Sequence, residues 1–225
     1  MKKIHFSVVA LMLVILFSIN STAQTQDANL WMNVAIEKKI TPKFSIGFSQ
    51  EFRMNENISE LGTFFTDLCF EYKISKIIRV SANYRFVNKR RLDDSYSKRH
   101  RYYFDLTFRK KFSPVIISLR TRFQSQYKDV LSSNDGKIPT NTFRNKLTIK
   151  YNAEKKLQPY IFAEIYTPLK QPYDIFIDNT RYCAGVEYEI NRMHTLDFYY
   201  LFQKEYHVKN PVSDHVFGIG YHISL

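Results

Sequence analysis

Apolar and polar residues alternate along most of the chain beyond its first two dozen residues. The clearest example runs from Arg99 to Lys110, RHRYYFDLTFRK. One face of this stretch would carry His100, Tyr102, Phe104, Leu106 and Phe108. A typical soluble strand has about five or six residues, whereas a tilted strand needs about nine to eleven to cross a bilayer. The pattern therefore predicts a membrane-crossing strand, and similar patterns put Phe48, Leu106 and Phe198 against lipid.

The same alternation recurs in about eleven segments, and the connections between them alternate in length. Turns such as Thr41-Pro42 are short, and the longer loops are predicted at Asn55–Glu60, Asn88–Ser97, Lys128–Asn141 and Thr167–Asn179. Short periplasmic turns and longer outer loops are typical of outer-membrane barrels. The predicted fold is an all-β, antiparallel transmembrane β-barrel of about 10–12 strands. Bacterial single-chain barrels have even strand numbers, so we expect ten or twelve, unless the first segment is not a full strand or closure is parallel.

The N-terminus has the features of an export signal. Lys2 and Lys3 precede the apolar run Val8–Phe17, and Ser21 and Ala23 are small residues suited to cleavage before Gln24. We expect residues 1–23 to be a signal peptide and residues 24–225 a single barrel domain in the outer membrane of a Gram-negative bacterium. An uncleaved anchor helix is the alternative, but the apolar run is short for one.

Composition agrees with a barrel and not with a helical membrane protein. The 225 residues are 16% aromatic, and the mean hydropathy is −0.34 because lumen-facing residues dilute the lipid-facing ones. A soluble, lipocalin-like barrel would show the same alternation with its faces inverted. Mid-strand charges and long strands favour the membrane. So does the ending Tyr221-x-Ile223-x-Leu225, which resembles the signal read by the barrel assembly machinery.

The formal net charge is +12, and removal of Lys2 and Lys3 would lower it by two. Its basic residues are spread over strands and loops instead of forming one patch, so nucleic acid is not an expected partner. We expect contacts with outer-membrane lipid and lipopolysaccharide.

The polar register supplies the candidate functional residues. The predicted lumen-lining residues are Arg79, Arg85, Arg101, Asp105, Arg109, Arg120, Arg122, Arg144, Lys146, Glu164, Arg181 and Glu187. One interpretation is an ion-paired, largely plugged lumen in a structural or interaction barrel, with Arg101, Arg120 and Arg122 paired to acids such as Asp105 and Glu164. The other is a narrow, basic-lined channel for small anions. The limited width of such a barrel favours the plug.

The sequence contains only weak signals of an enzyme active site. Asp93-Asp94 with Asp214-His215 imitate the acids and the Asp-His pair of omptin-type outer-membrane proteases, and a barrel phospholipase would need a Ser and His at one rim. We expect no catalytic, cofactor or metal site. Cys69 and Cys183 lie on the polar register, either as a disulfide or as two free thiols.

Short motifs resemble a known family. Trp31 soon after the signal, the Arg-rich stretch Arg99–Tyr103, Leu119–Phe123 (LRTRF) and Tyr160–Glu164 (YIFAE) are similar to the bacterial domain-of-unknown-function family numbered 2490. The resemblance covers nearly the whole mature chain. It implies an outer-membrane barrel and no particular activity or catalytic residue.

If the sequence is interpreted correctly, the mature protein should fractionate with outer membranes. A folded barrel resists detergent until it is heated, so the unboiled protein should migrate faster than the boiled one on a detergent gel. Recovery as a soluble periplasmic monomer would contradict the barrel.

Overall fold

The computed structural model describes residues 25–128, 135–152, 156–169, 176–208 and 210–225, so the predicted signal peptide lies outside the described residues. These residues form eleven strands: β1 (Thr25–Lys39), β2 (Phe44–Asn55), β3 (Glu60–Lys73), β4 (Ile78–Arg90), β5 (Tyr96–Phe112), β6 (Val115–Lys128), β7 (Thr140–Tyr151), β8 (Leu157–Leu169), β9 (Asn179–Glu189), β10 (His194–Glu205) and β11 (Val212–Ser224). A 3-10 turn, Asp135–Lys137, precedes β7. The all-β fold is as predicted.

The strands close into a barrel in chain order. Consecutive strands pair antiparallel, and β1 pairs with β11 in parallel, from Thr25↔Val212 to Glu37↔Ser224. Eleven strands agree with the predicted barrel of about 10–12, but the expectation of an even number was wrong. An up-and-down barrel with an odd number of strands can close only through one parallel pair, which is the alternative that the sequence left open. The start of β1 consequently lies at the opposite end of the barrel from the end of β11.

The three longest connections, 129–139, 170–178 and 206–211, lie at one end of the barrel, whereas 56–59 and 91–95 at that end are as short as the connections of the other end. The end that contains Leu225 has the turns 40–43, 74–77, 113–114, 152–156 and 190–193, and we call it the turn end. The other end, which we call the loop end, has the connections 91–95, 129–139, 170–178 and 206–211, but also 56–59. The loop expected at Asn55–Glu60 lies in the predicted place, but its length was wrong: the connection has four residues, no more than most turns of the opposite end. At the other long loops, strand pairing also extends beyond the predicted ends.

The outer wall of the barrel is apolar. Phe48, Leu106 and Phe198 are exposed on it, as predicted. On this wall three tyrosine hydroxyls pair with histidines: Tyr84 with His100, Tyr200 with His215 and Tyr221 with His194, at 2.6–2.8 Å from the tyrosine oxygen to Nδ1. Among the described residues, no helix is long and apolar enough to span a membrane.

Replacing Phe48, Leu106 or Phe198 with Arg should impair folding, because each would place a charge in hydrocarbon. We expect a loss of about 2–4 kcal/mol in the free energy of unfolding near the midplane. Leu92→Arg is the control, since Leu92 is fully exposed in a loop. Unfolding in lipid vesicles, followed by the heat-modifiable gel shift, measures the effect. Equal tolerance of all four substitutions would mean that the faces are inverted.

Candidate functional site

The barrel interior is the candidate site. Strand alternation turns every second residue inward, and the inward side chains surround a cavity of about 500 Å³. Of the predicted lumen residues, nine line it: Arg85, Arg101, Arg120, Arg122, Arg144, Lys146, Glu164, Arg181 and Glu187. Lining residues Lys150, Glu187 and His222 lie within three residues of the turn-end limits of their strands, and Arg53 and Tyr166 lie equally near the loop-end limits of theirs, so the lining is not confined to one end.

Glu164 on β8 is the centre of the interior charge network. Its carboxylate is only 3% exposed and accepts hydrogen bonds from Arg120 at 2.6 Å and from Arg144 at 2.9–3.2 Å. Arg144 is itself buried and stacks on the Tyr166 ring, with its Cζ 4.3 Å from the ring centroid. Two arginines therefore share one buried carboxylate.

Two further ion pairs lie on the neighbouring strands. Arg122 donates a bidentate pair of 2.7 Å hydrogen bonds to Asp105, and both side chains are buried. Arg85 pairs with Asp67, which also accepts a 2.6 Å hydrogen bond from the Tyr103 hydroxyl. Bidentate arginine–carboxylate pairs are geometrically specific, so these contacts hold neighbouring strands in register.

Three cavity cations have no carboxylate partner within ion-pair distance among the described residues. Arg101 donates instead to the Gln126 amide oxygen, and Arg181 to that of Gln203. The Lys146 ammonium lies 3.8 Å from the centroid of the Phe162 ring. The pairing expected between Arg101 and a lumen acid is therefore wrong, whereas Arg120 and Arg122 have the partners expected.

The other predicted residues lie around this centre. Glu187 lines the cavity and pairs with Lys150 at 2.5 Å. Arg79 forms a half-buried pair with Glu71 at 3.1 Å, outside the cavity. Arg109 also lies on the inward register but not at the cavity wall.

Aromatic and apolar side chains form the wall of the interior opposite the ion pairs described above. The sequence interpretation did not identify this aromatic wall. Trp31, Leu201 and Val216 are buried together with Cys183, and Tyr160 and Tyr199 pack against them. The Tyr199 ring lies directly on Gly218, where any Cβ would collide with it. Inward-facing glycines in the final strand were the available signal, because they leave room for a ring on the adjacent strand.

Trp31 also links the two walls. Arg53 stacks on the indole with its Cζ 3.6 Å from the ring centroid, and Arg181 lies 5.2 Å from the same ring. Arg53 is in turn paired with Glu51 at 2.6 Å. Charged side chains and rings thus contact one another around the cavity.

The residues that imitate a protease do not assemble one. Asp214 faces inward to Asn29 and Gln203, whereas His215 faces outward and bonds Tyr200. In the loop 91–95, hydrogen bonds from the Ser95 hydroxyl and backbone hold the pKa of Asp93 below its ordinary value. Neighbouring Asp94 pairs with Arg90 at 2.5 Å.

Other reactive side chains are dispersed. Cys69 and Cys183 are both free thiols. Within the described part of the chain, no three His, Cys, Asp or Glu side chains are grouped as metal ligands would be.

The sequence pattern of a family described as Protein of unknown function (DUF2490) matches residues 28–213, which is most of the chain. The chain belongs to this family. The family description assigns no activity. No curated protein matches the chain in sequence.

Solved structures share the fold of this DUF2490 protein at low sequence identity. A "Bacterial polysaccharide outer membrane secretin" matches with a TM-score of 0.53 and 11% identity, over 79% of this chain and 63% of the other. The chain therefore spans less than two thirds of that structure.

Two porins are similar at lower scores. The NanC porin matches with a TM-score of 0.49 and 11% identity, over 78% of this chain and 86% of the porin. The KdgM porin, solved with disordered oligogalacturonate, has a TM-score of 0.47 and 13% identity, over 79% and 90% of the two chains. At these identities the likeness concerns the fold alone.

Breaking the Asp105–Arg122 pair from one side should destabilise the barrel strongly. Asp105→Asn or Arg122→Gln would leave one buried charge without its partner, at an expected cost of about 3–5 kcal/mol. The double variant should cost less than the sum of the two, because it leaves no lone charge. Trp31, the only tryptophan, reports unfolding from inside the barrel by its fluorescence.

Arg79→Gln is the matched control, since the Arg79–Glu71 pair is half-exposed and should be worth about 0–1 kcal/mol. If Arg79→Gln and Arg122→Gln lowered the free energy of unfolding equally, burial would not determine how much these ion pairs stabilise the barrel.

Proposed function

We propose that this protein is an outer-membrane structural or interaction barrel with an ion-paired, largely plugged lumen that does not conduct. An apolar outer wall supports a membrane position, and the leader-like residues 1–23 support export. Lipid and lipopolysaccharide would then contact the outer wall, and the final strand would be the element recognised by the barrel assembly machinery.

The observation that carries the proposal is the filling of the interior from opposite walls. On β5 to β8, Arg122, Arg144 and Glu164 form buried ion pairs. On β9 to β11 and β1, Leu201, Val216 and Trp31 are buried as an apolar cluster. Arg181 lies between them, close to both the Trp31 and the Tyr166 rings. A conducting porin needs a continuous path of water along its axis, and the buried side chains of the two walls narrow the interior to the cavity described above.

A narrow channel for small anions is the second candidate. It is favoured by Arg101, Lys146 and Arg181, which line the cavity without carboxylate partners. Unneutralised cations along a path would attract and select anions. The two proposals differ in whether a continuous, water-filled path crosses the barrel from one end to the other.

Conductance in a planar bilayer separates the two. The purified barrel should give little current, and Arg122→Ala should destabilise the fold by leaving Asp105 without its cationic partner. Heat-denatured protein from the same preparation gives the background current.

Steady, anion-selective current from the unmodified protein would overturn the plug. In that case Arg101→Gln and Arg181→Gln should reduce the anion selectivity while the fold survives, because neither arginine holds a carboxylate.

A further inference from the structure

One row of inward side chains crosses four neighbouring strands. Arg120 on β6 is opposite Lys146 on β7, Lys146 is opposite Glu164 on β8, and Glu164 is opposite Arg181 on β9. Directly opposed residues have Cβ atoms about 4.5–5.5 Å apart, so the four side chains are neighbours on one wall. Arg144, in the adjacent row, reaches the same glutamate.

This cluster has more positive charge than its carboxylate can neutralise. Both Glu164 oxygens are already occupied, Oε1 by Arg120 and Arg144 and Oε2 by Arg144. Lys146 and Arg181 contact only a ring or an amide, as described above. Within the described residues the Arg120 Nε is buried and has no acceptor. Four cations therefore share one carboxylate.

Such an excess is costly in a partly dehydrated lumen unless a counter-ion is supplied. The cavity is beside the cluster, and Arg120, Lys146, Arg144 and Arg181 all line it. Guanidinium groups match the geometry of carboxylate and phosphate oxygens, and an ammonium adds a point charge. The rings of Phe162 and Tyr166 on the same wall hold Lys146, Arg144 and Arg181 in place.

We propose that the Arg120–Lys146–Arg181 row, together with Arg144, binds a small multivalent oxyanion, a phosphate or a polycarboxylate. The ligand would enter from the turn end, where the cavity wall continues through the Lys150–Glu187 pair to His222. The site rests on the proposed membrane barrel but not on whether that barrel conducts.

Calorimetric titration of the folded barrel in uncharged maltoside micelles tests the site. Inorganic pyrophosphate and citrate are the probes, each at an ionic strength held constant with sodium chloride. We expect saturable one-to-one binding of at least one probe, and the tighter of the two identifies phosphate or carboxylate as the preferred chemistry.

Variants then locate the binding. Lys146→Gln and Arg181→Gln should each weaken it by about tenfold or more through loss of a charge-assisted contact, and Lys146→Arg should largely restore it. Neither Lys146 nor Arg181 holds a carboxylate, so both neutral variants should still fold, which the unboiled gel shift checks. Lys43→Gln is the matched control, because it removes one positive charge from an exposed turn at the same end.

Absence of saturable binding for both probes at millimolar concentration would overturn the site. The site would also be overturned if Lys43→Gln lost as much affinity as Lys146→Gln and Arg181→Gln, because the loss would then follow from the change in net charge alone. A barrel that conducts and still binds a probe would contradict the proposed plug and support this site. A barrel that does not conduct and binds neither probe would support the plug and contradict this site.

Discussion

The structure depends on closing the sheet. In hydrocarbon every backbone N–H and C=O must find a partner within the protein, so a membrane-spanning sheet can have no open edge. Here the closing pair is β1 with β11, and its parallel register runs the length of both strands. Parallel pairing is slightly weaker per residue than antiparallel pairing, but an open edge would cost far more. Because the strand number is odd, the first residue of β1 and the last residue of β11 lie at opposite ends of the barrel.

Closure at this width decides what the interior can be. Eleven long strands turn many arginine, lysine, aspartate and glutamate side chains into a narrow space, where each charge must find a partner or remain hydrated. Most of them pair, through the Asp105–Arg122, Asp67–Arg85 and Glu164 contacts. The opposite wall avoids the problem with apolar side chains around Trp31 and Leu201. The cations left over collect at the cavity, and for that reason the filled lumen and an anion site are compatible.

The comparisons identify the family and the fold of this chain but not the chemistry of its barrel interior. The DUF2490 family description assigns no activity, and the likeness to an outer-membrane structure at 11% identity concerns the fold alone. What a barrel binds or passes depends on a few inward side chains and their partners. At 11% identity those side chains are not carried over with the fold, so the chemistry of this lumen must be argued from its own residues.

The sequence alone determined the class of fold, the faces of the strands and the candidate lumen residues, because period-two alternation is a local property that survives closure. It predicted the partners of Arg120 and Arg122 but not that of Arg101, which is opposite Arg85 and bonds Gln126 instead of an acid. The eleven-strand count with its parallel closure, the short 56–59 connection and the rings around Gly218 were also decided only in the tertiary structure. The reason is physical: alternation shows which way a side chain faces, whereas pairing depends on the register between strands and on which strand closes against the first.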